Sequence, residues 1–227
     1  MITKEKSILK SVSNIFPILA IETSGELCSV AVLIDINTFS EMNVQKKHIH
    51  SEKIFSIIDS VLKESDLAVS DLKSIAVSMG PGSFTGLRIG LTAAKGIALG
   101  QGLPLIPVST YGAMSFQIRS FNGLEESFII ANKVNREEVY FSKITKRDSL
   151  KNPTIKLINV SSIIGSNLGV NTIFGNSSLV NIENSIASPN AYFVGKWAYI
   201  FGEDLLTYDY DYLEPNYLKN FVAKVKK

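Results

Sequence analysis

Ser78-Met79-Gly80-Pro81-Gly82-Ser83-Phe84-Thr85-Gly86-Leu87-Arg88-Ile89-Gly90 follows an apolar run, Ile75-Ala76-Val77, and opens a small-residue segment that continues to Leu99. That order reads as strand, glycine turn, helix. Gly80, Gly82 and Gly86 permit close approaches or backbone angles that a β-carbon would block. Ser83 has the chemistry of an N-cap for the helix that follows. A helix start of this kind gathers free N–H groups and a positive dipole end, which suits a phosphate, a carboxylate or a partner's backbone. The turn lacks the Gly-Lys-Ser/Thr ending of a Walker A loop, because Gly86 is followed by Leu87-Arg88. It also lacks the third glycine of the dinucleotide fingerprint, where Thr85 stands.

Working outward, Ile18–Ile21, Leu27–Ile34 and Thr38–Val44 alternate as a three-strand meander, with the polar turn Glu22-Thr23-Ser24-Gly25 after the first strand. The spacing of Ile54, Phe55, Ile57, Ile58, Val61 and Leu62 predicts a helix over Ser51–Glu64 with Ser51 as its cap. Ser74–Ser78, the glycine turn and its helix come next, then a strand at Leu105–Val108 and a helix capped by Ser109. The order is β-β-β-α-β-α-β-α. A second, strand-rich half follows, with strands predicted at Phe128–Ala131, Val139–Ile144, Thr154–Val160 and Thr172–Phe174 and a helix at Ala191–Phe201. Phe121–Glu126 reads as the hinge, and Glu203–Glu214, with five acids and three tyrosines, as a solvated, partly packed loop.

The chain has 227 residues, 45% of them hydrophobic, enough for a sizeable core in one large domain or two lobes. A formal charge of +2 supplies no general field for nucleic acid. No apolar run approaches the ~20 residues of a membrane helix. Met1–Phe16 is expected to be a loose extension, not a signal peptide, and the expected location is cytoplasmic. The single cysteine, Cys28, reads as a buried small hydrophobe. His48 and His50 have no cysteine or clustered carboxylate beside them, so neither a metal site nor a catalytic constellation is predicted. Glu22 is a lone strand-end carboxylate. Thr23, Ser24, Gly82 and Ser83 are the candidate phosphate-binding residues. Arg88, in the first turn of the glycine-turn helix, is open to three readings: an anion contact, an interface contact or a bare surface arginine.

Ile18-Leu19-Ala20-Ile21-Glu22-Thr23-Ser24, Cys28-Ser29-Val30-Ala31-Val32 and the Gly80–Gly90 block resemble the bacterial TsaB (YeaZ) proteins. His50-Ser51, Ala94-Lys95-Gly96, Pro107-Val108-Ser109, Glu138-Val139-Tyr140 and Pro215-Asn216-Tyr217-Leu218 fit the same family, densely over residues 17 to 113 and in patches beyond. The resemblance implies an α/β fold of the actin/hexokinase/Hsp70 (ASKHA) type, two lobes each built on a β-β-β-α-β-α core. The lobes are then expected at 17–120 and 121–227, after an extension at 1–16.

It also implies a role in making threonylcarbamoyladenosine beside the anticodon of tRNAs reading codons that begin with A. The chain would be a non-catalytic scaffold and activator that pairs with a TsaD-like transferase paralogue. A TsaE-like ATPase and tRNA would be met only through that complex, and a homodimer would form when the partner is missing. The implied pairing surface is the two first-lobe helices, with Ile54, Ile58, Arg88, Gly90 and Ala94 as interface candidates. No cofactor is called for, although ATP or ADP is left open. Two departures stand out. The two-histidine metal motif of TsaD-like members has no equivalent, and Lys133-Val134-Asn135 replaces the usual Asp-Ala-Arg, with Arg136 beside it as a substitute charge. The alternative activities are a sugar-kinase-like nucleotide-binding enzyme and, for lack of a nucleophile-base pair, less plausibly a peptidase.

Overall fold

Strict alternation in the first strand splits its side chains between two cores. Leu19 and Ile21 of β1 (Ile18–Glu22) point to one face of the sheet, Ile18 and Ala20 to the other, and all are fully buried. The computed structural model describes residues 15–46, 49–123, 126–145, 150–163, 172–176 and 186–218. In it β1 pairs antiparallel with β2 (Leu27–Leu33), which pairs antiparallel with β3 (Phe39–Gln45). On its other side β1 runs parallel to β4 (Ser74–Ser78), and β4 runs parallel to β5 (Leu105–Val108), giving the order β3-β2-β1-β4-β5. The parallel pairs need crossovers, and helices supply them.

Helix α1 (His50–Glu64) and helix α2 (Phe84–Gln101) cover the face that carries Leu19, Ile21, Val30 and Ile75. Ile54, Ile57, Ile58, Val61 and Leu62 form the buried stripe of α1. The predicted cap at Ser51 is corrected: the helix begins one residue earlier, and Ile49 stands at the cap position without a side-chain bond. Ser83 does cap α2, accepting the Gly86 N–H at 3.2 Å. Gly102, with φ of +64°, ends α2 in the left-handed conformation that glycine adopts without penalty.

Helix α3 (Thr110–Asn122), capped by Ser109, and helix α4 (Ala191–Phe201) cover the opposite face. Ala113 of α3 belongs to the first-sheet core, while Tyr111, Met114 and Ile118 pack on a second sheet, so α3 serves both. That sheet has the order β8-β7-β6-β9. It comprises β6 (Phe128–Lys133), β7 (Glu138–Ile144), β8 (Lys156–Asn159) and β9 (Ile173–Gly175), with β6 and β9 parallel.

Although α4 follows the second sheet in sequence, its Ala191, Val194, Trp197 and Ala198 lie on the first. Its start is capped from a distance: Ser29 Oγ accepts the Ala191 N–H at 2.7 Å and Glu41 Oε1 accepts that of Tyr192 at 2.7 Å. The carboxylate also complements the helix dipole there. Trp197, the largest fully buried side chain, donates its indole N–H to the Leu150 carbonyl at 2.8 Å.

The chain after α4 also returns to the first sheet. Thr207 bridges Leu105 antiparallel at the β5 edge, and the Tyr210 hydroxyl donates to the Leu103 carbonyl at 2.7 Å. Tyr208 and Tyr212 remain exposed, as a partly packed loop requires. Ile15 and Phe16, assigned to the extension by sequence, are packed instead. Ile15 is buried and accepts the Ser74 hydroxyl at 2.7 Å, and Phe16 lies 5.0 Å from the Tyr199 ring. Residues 1–14 of the expected extension, His48, and positions 124–125 of the expected hinge lie outside the described residues.

Candidate functional site

The carboxyl ends of the parallel strands in the two sheets face a shared cleft of about 490 Å³. Open α/β sheets place ligand sites at such strand ends. One wall is the turn after β1 with the glycine turn after β4, contributing Ser24, Gly25, Gly82 and Ser83. The other is the ends of β6 and β9, contributing Lys133 and Asn176, together with Tyr140 of β7.

The first wall is tightly built. A β-carbon on Gly82 would sit 2.5 Å from the Ser24 carbonyl oxygen, one on Gly86 2.1 Å from that of Thr23, and one on Gly90 2.2 Å from Thr23 Oγ1. Glycine at these positions lets α2 lie directly on the 23–24 turn. The Thr23 hydroxyl donates to the Gly86 carbonyl at 2.8 Å, and the Ser83 N–H donates to the Ser24 carbonyl at 2.7 Å. Beneath them Glu22 is fully buried. Its Oε1 accepts both the N–H and the O–H of Ser24 at 2.5 Å, and its Oε2 shares a hydrogen bond with the Ser78 hydroxyl. Burial pushes this carboxyl up to about 7, against the opposing pull of the Ser24 and Ser78 bonds. Cys28 is buried as expected, and burial together with the Glu22 charge pushes its thiol up to about 11. It has none of the depressed pKa of an activated nucleophile.

Of the four phosphate candidates, Ser24, Gly82 and Ser83 line the cleft. Thr23 does not: it is 1% exposed and its hydroxyl is spent on Gly86, which corrects its assignment. The Ser24 and Ser83 hydroxyls are likewise engaged, with Glu22 and with the Gly86 N–H.

The interface candidates divide sharply. Ile54, Ile58 and Ala94 are buried in the core under α1 and α2, and Gly90 is buried against Thr23. These four assignments are corrected, because their surfaces are used inside the chain. Arg88 is exposed but engaged: its Nε donates to the Tyr217 hydroxyl at 2.9 Å, and its guanidinium lies 4.0 Å from the Phe84 ring centroid. Such stacking is favourable for arginine. The outward faces belong to neighbours the sequence reading passed over. Phe55 is 61% exposed on α1, and Leu99 is 72% exposed on α2 beside Gly96 and Gly100, which have open space around them.

The second wall was also missed, because its residues meet only through strand pairing. Asn132 Oδ1 accepts the Asn176 N–H at 3.1 Å, Asn176 Oδ1 accepts the Lys133 N–H at 2.7 Å, and Asn132 Nδ2 donates to the Ala187 carbonyl at 2.8 Å. Asn135 closes the β6–β7 hairpin by accepting the N–H groups of Glu137 and Glu138 at 2.8 and 2.9 Å. It does turn work, while Arg136 stands exposed in the same turn. His50 reaches the Gly25 carbonyl through Nε2 at 2.9 Å, tying the start of α1 to the cleft wall. Among the described residues no group of three His, Cys, Asp or Glu is placed to hold a metal ion, and no helix is long and apolar enough to cross a membrane.

Comparison with known proteins gives this architecture relatives. Residues 42–153 match the family model described as tRNA N6-adenosine threonylcarbamoyltransferase, TsaD. The tRNA threonylcarbamoyladenosine biosynthesis protein TsaB of Haemophilus influenzae is 36% identical over 132 residues, 57% of this chain and 54% of that protein. Its Bacillus subtilis counterpart is 37% identical over 107 residues, 47% of each chain. The chain thus spans about half the length of the curated relatives it matches. A solved Pseudomonas aeruginosa protein, described as uncharacterized with similarity to peptidase YEAZ, superposes with a TM-score of 0.75 at 21% identity, over 89% of this chain and 99% of that one. At that identity the likeness speaks for the two-lobed ASKHA-like α/β fold alone. With the Gly80–Gly90 block and the curated relatives together, about half of the chain is similar to the TsaB (YeaZ) proteins.

Proposed function

We propose that this chain is a non-catalytic partner subunit in the threonylcarbamoylation of adenosine beside the anticodon of tRNA. It pairs with a TsaD-like transferase in the cytoplasm, and meets a TsaE-like ATPase and the tRNA through that complex. The similarity to curated TsaB proteins carries the pathway. The outer face of α1 and α2 supports the pairing role. Phe55 and Leu99 are large apolar side chains turned to solvent, and Gly96 and Gly100 leave room for a second helix to approach closely. A second copy of this chain competes for the same face when the partner is missing. On this reading the lobe built on the first sheet takes in Ile15 and Phe16 ahead of the expected 17–120, and α4 and the segment after it, expected in the 121–227 lobe, cross back onto it.

The engaged first wall of the cleft favours a scaffold over a kinase-like enzyme. The Thr23 and Ser24 hydroxyls already donate within the chain, so a nucleotide phosphate would have to displace those bonds, while the Ser83 hydroxyl accepts from the Gly86 N–H and keeps its own proton to donate. Titration with ATP and magnesium distinguishes the two readings, saturation at micromolar concentration supporting the enzyme.

The direct test is reconstituted tRNA modification with the transferase, the ATPase and an activated donor of the threonylcarbamoyl group, with and without this chain. Modification that depends on the chain, and none from the chain alone, supports the proposal. Modification undiminished without the chain, or produced by it alone, overturns it.

A further inference from the structure

Among the described residues Glu22 is the only carboxyl group in the buried set, and it spans three segments. It closes the turn after β1 through both donors of Ser24 and joins β1 to the end of β4 through Ser78. Ser24 passes the constraint on, since its carbonyl holds the N–H of Ser83, the cap of α2. Gly25, the next residue, is held by His50 at the first turn of α1. One carboxyl therefore sets a wall of the cleft and, through it, the start of α2.

Every direct partner of this carboxyl is neutral. Ionised, it places a full charge in the interior with hydroxyl and amide dipoles alone to answer it. Protonated, the same geometry is satisfied: Oε2–H donates to Ser78 Oγ, and Oε1 accepts both donors of Ser24. The titratable groups around it are Cys28 of β2, which feels its charge, Glu26 of the same turn, and His50 of α1, which reaches the turn at Gly25. Its remaining neighbours are uncharged: Ser29 stands opposite in the β2 register, Ser78 ends β4, and Thr23 contacts Gly86 and Gly90 of α2.

We propose that Glu22 is a proton-held latch: its acid form locks the Ser24–Gly25 wall of the cleft and the start of α2, and loss of the proton to solvent releases both. This device is independent of which partner or ligand the chain takes. A merely structural hydrogen bond would hold the turn equally at all pH values.

Amide hydrogen exchange at Ser24 and Ser83 of the full chain, corrected for base catalysis of the exchange chemistry, reads the latch directly. Protection is expected to fall by up to tenfold for each pH unit between the carboxyl's ordinary 4.5 and its midpoint near 7, and to level off above it. Glu22→Gln, which keeps the shape without the titration, is expected to retain protection and flatten its profile. A flat wild-type profile, or an equal fall in the variant, overturns the proposal. Should the variant fail to fold, the side-chain carboxyl carbon of Glu22 is titrated by NMR in the wild-type chain. A midpoint near 7 supports the latch, and one at the ordinary 4.5 overturns it.

Discussion

The two faces of α2 are made of the same kinds of residue and do opposite things. Inward, Gly86, Gly90, Ala94 and Ala98 let the helix backbone press on the first sheet and the 23–24 turn, with no space for an added β-carbon at either glycine. Outward, Gly96 and Gly100 meet nothing within 4 Å, and Leu99 stands in solvent between them. A small residue is thus a packing requirement on one side of the helix and an open surface on the other. Only the direction of the Cα–Cβ vector separates the cases.

That contrast breaks most visibly at Ala94. Ala94→Asp places an uncompensated charge in the core, expected to cost about 3–5 kcal/mol, a large share of a typical domain's stability. Urea denaturation measures it, and a loss below about 1 kcal/mol would mean the inner face is looser than described. The turn beneath that face gives the next largest effect. Glu22 binds its proton more tightly folded than unfolded, so the extra stability is complete below the ordinary 4.5 and is lost as pH rises through about 7. The expected span is on the order of 3 kcal/mol. Thermal or urea unfolding across this window should show the fall in the wild type and a flat line in Glu22→Gln.

Gly90→Ala sharpens the comparison with a single methyl group. Its β-carbon would meet Thr23 Oγ1 at 2.2 Å, and over-packing of this kind costs about 1–3 kcal/mol. Gly96→Ala adds the same methyl to the opposite face and is expected to stabilise by about 0.8–1 kcal/mol through helix propensity alone. Equal signs for these two substitutions in denaturant melts would contradict the assignment of the faces.

Periodicity made the first sheet and its helices legible, because apolar alternation and capping serines are local signals. Ser83 and Ser109 cap as their positions imply, while Ser51 does not, since α1 starts at His50. The inner and outer faces of α2 were not separable, because small residues recur on both. Ile54 and Ile58 were offered to a partner for the same reason: an apolar stripe signals burial without saying in which core. The second wall of the cleft rests on Asn132 and Asn176, joined by the parallel pairing of β6 with β9, and no local pattern marks such a meeting. The capping of α4 by Ser29 and Glu41, more than a hundred residues away, is equally long-range. Arg88 turned on Tyr217, at the far end of the chain.

The division of α2 into a face that builds the fold and a face proposed to meet a partner is tested most directly by Leu99→Glu. Leu99 is solvent-exposed, so the charge is expected to change stability by no more than about 0.5 kcal/mol. Sedimentation of the purified chain with the proposed TsaD-like partner should show a heterodimer for the wild type and separate components for the variant, at unchanged melting temperature. A variant that pairs like the wild type would contradict the assignment of the outer face to the partner.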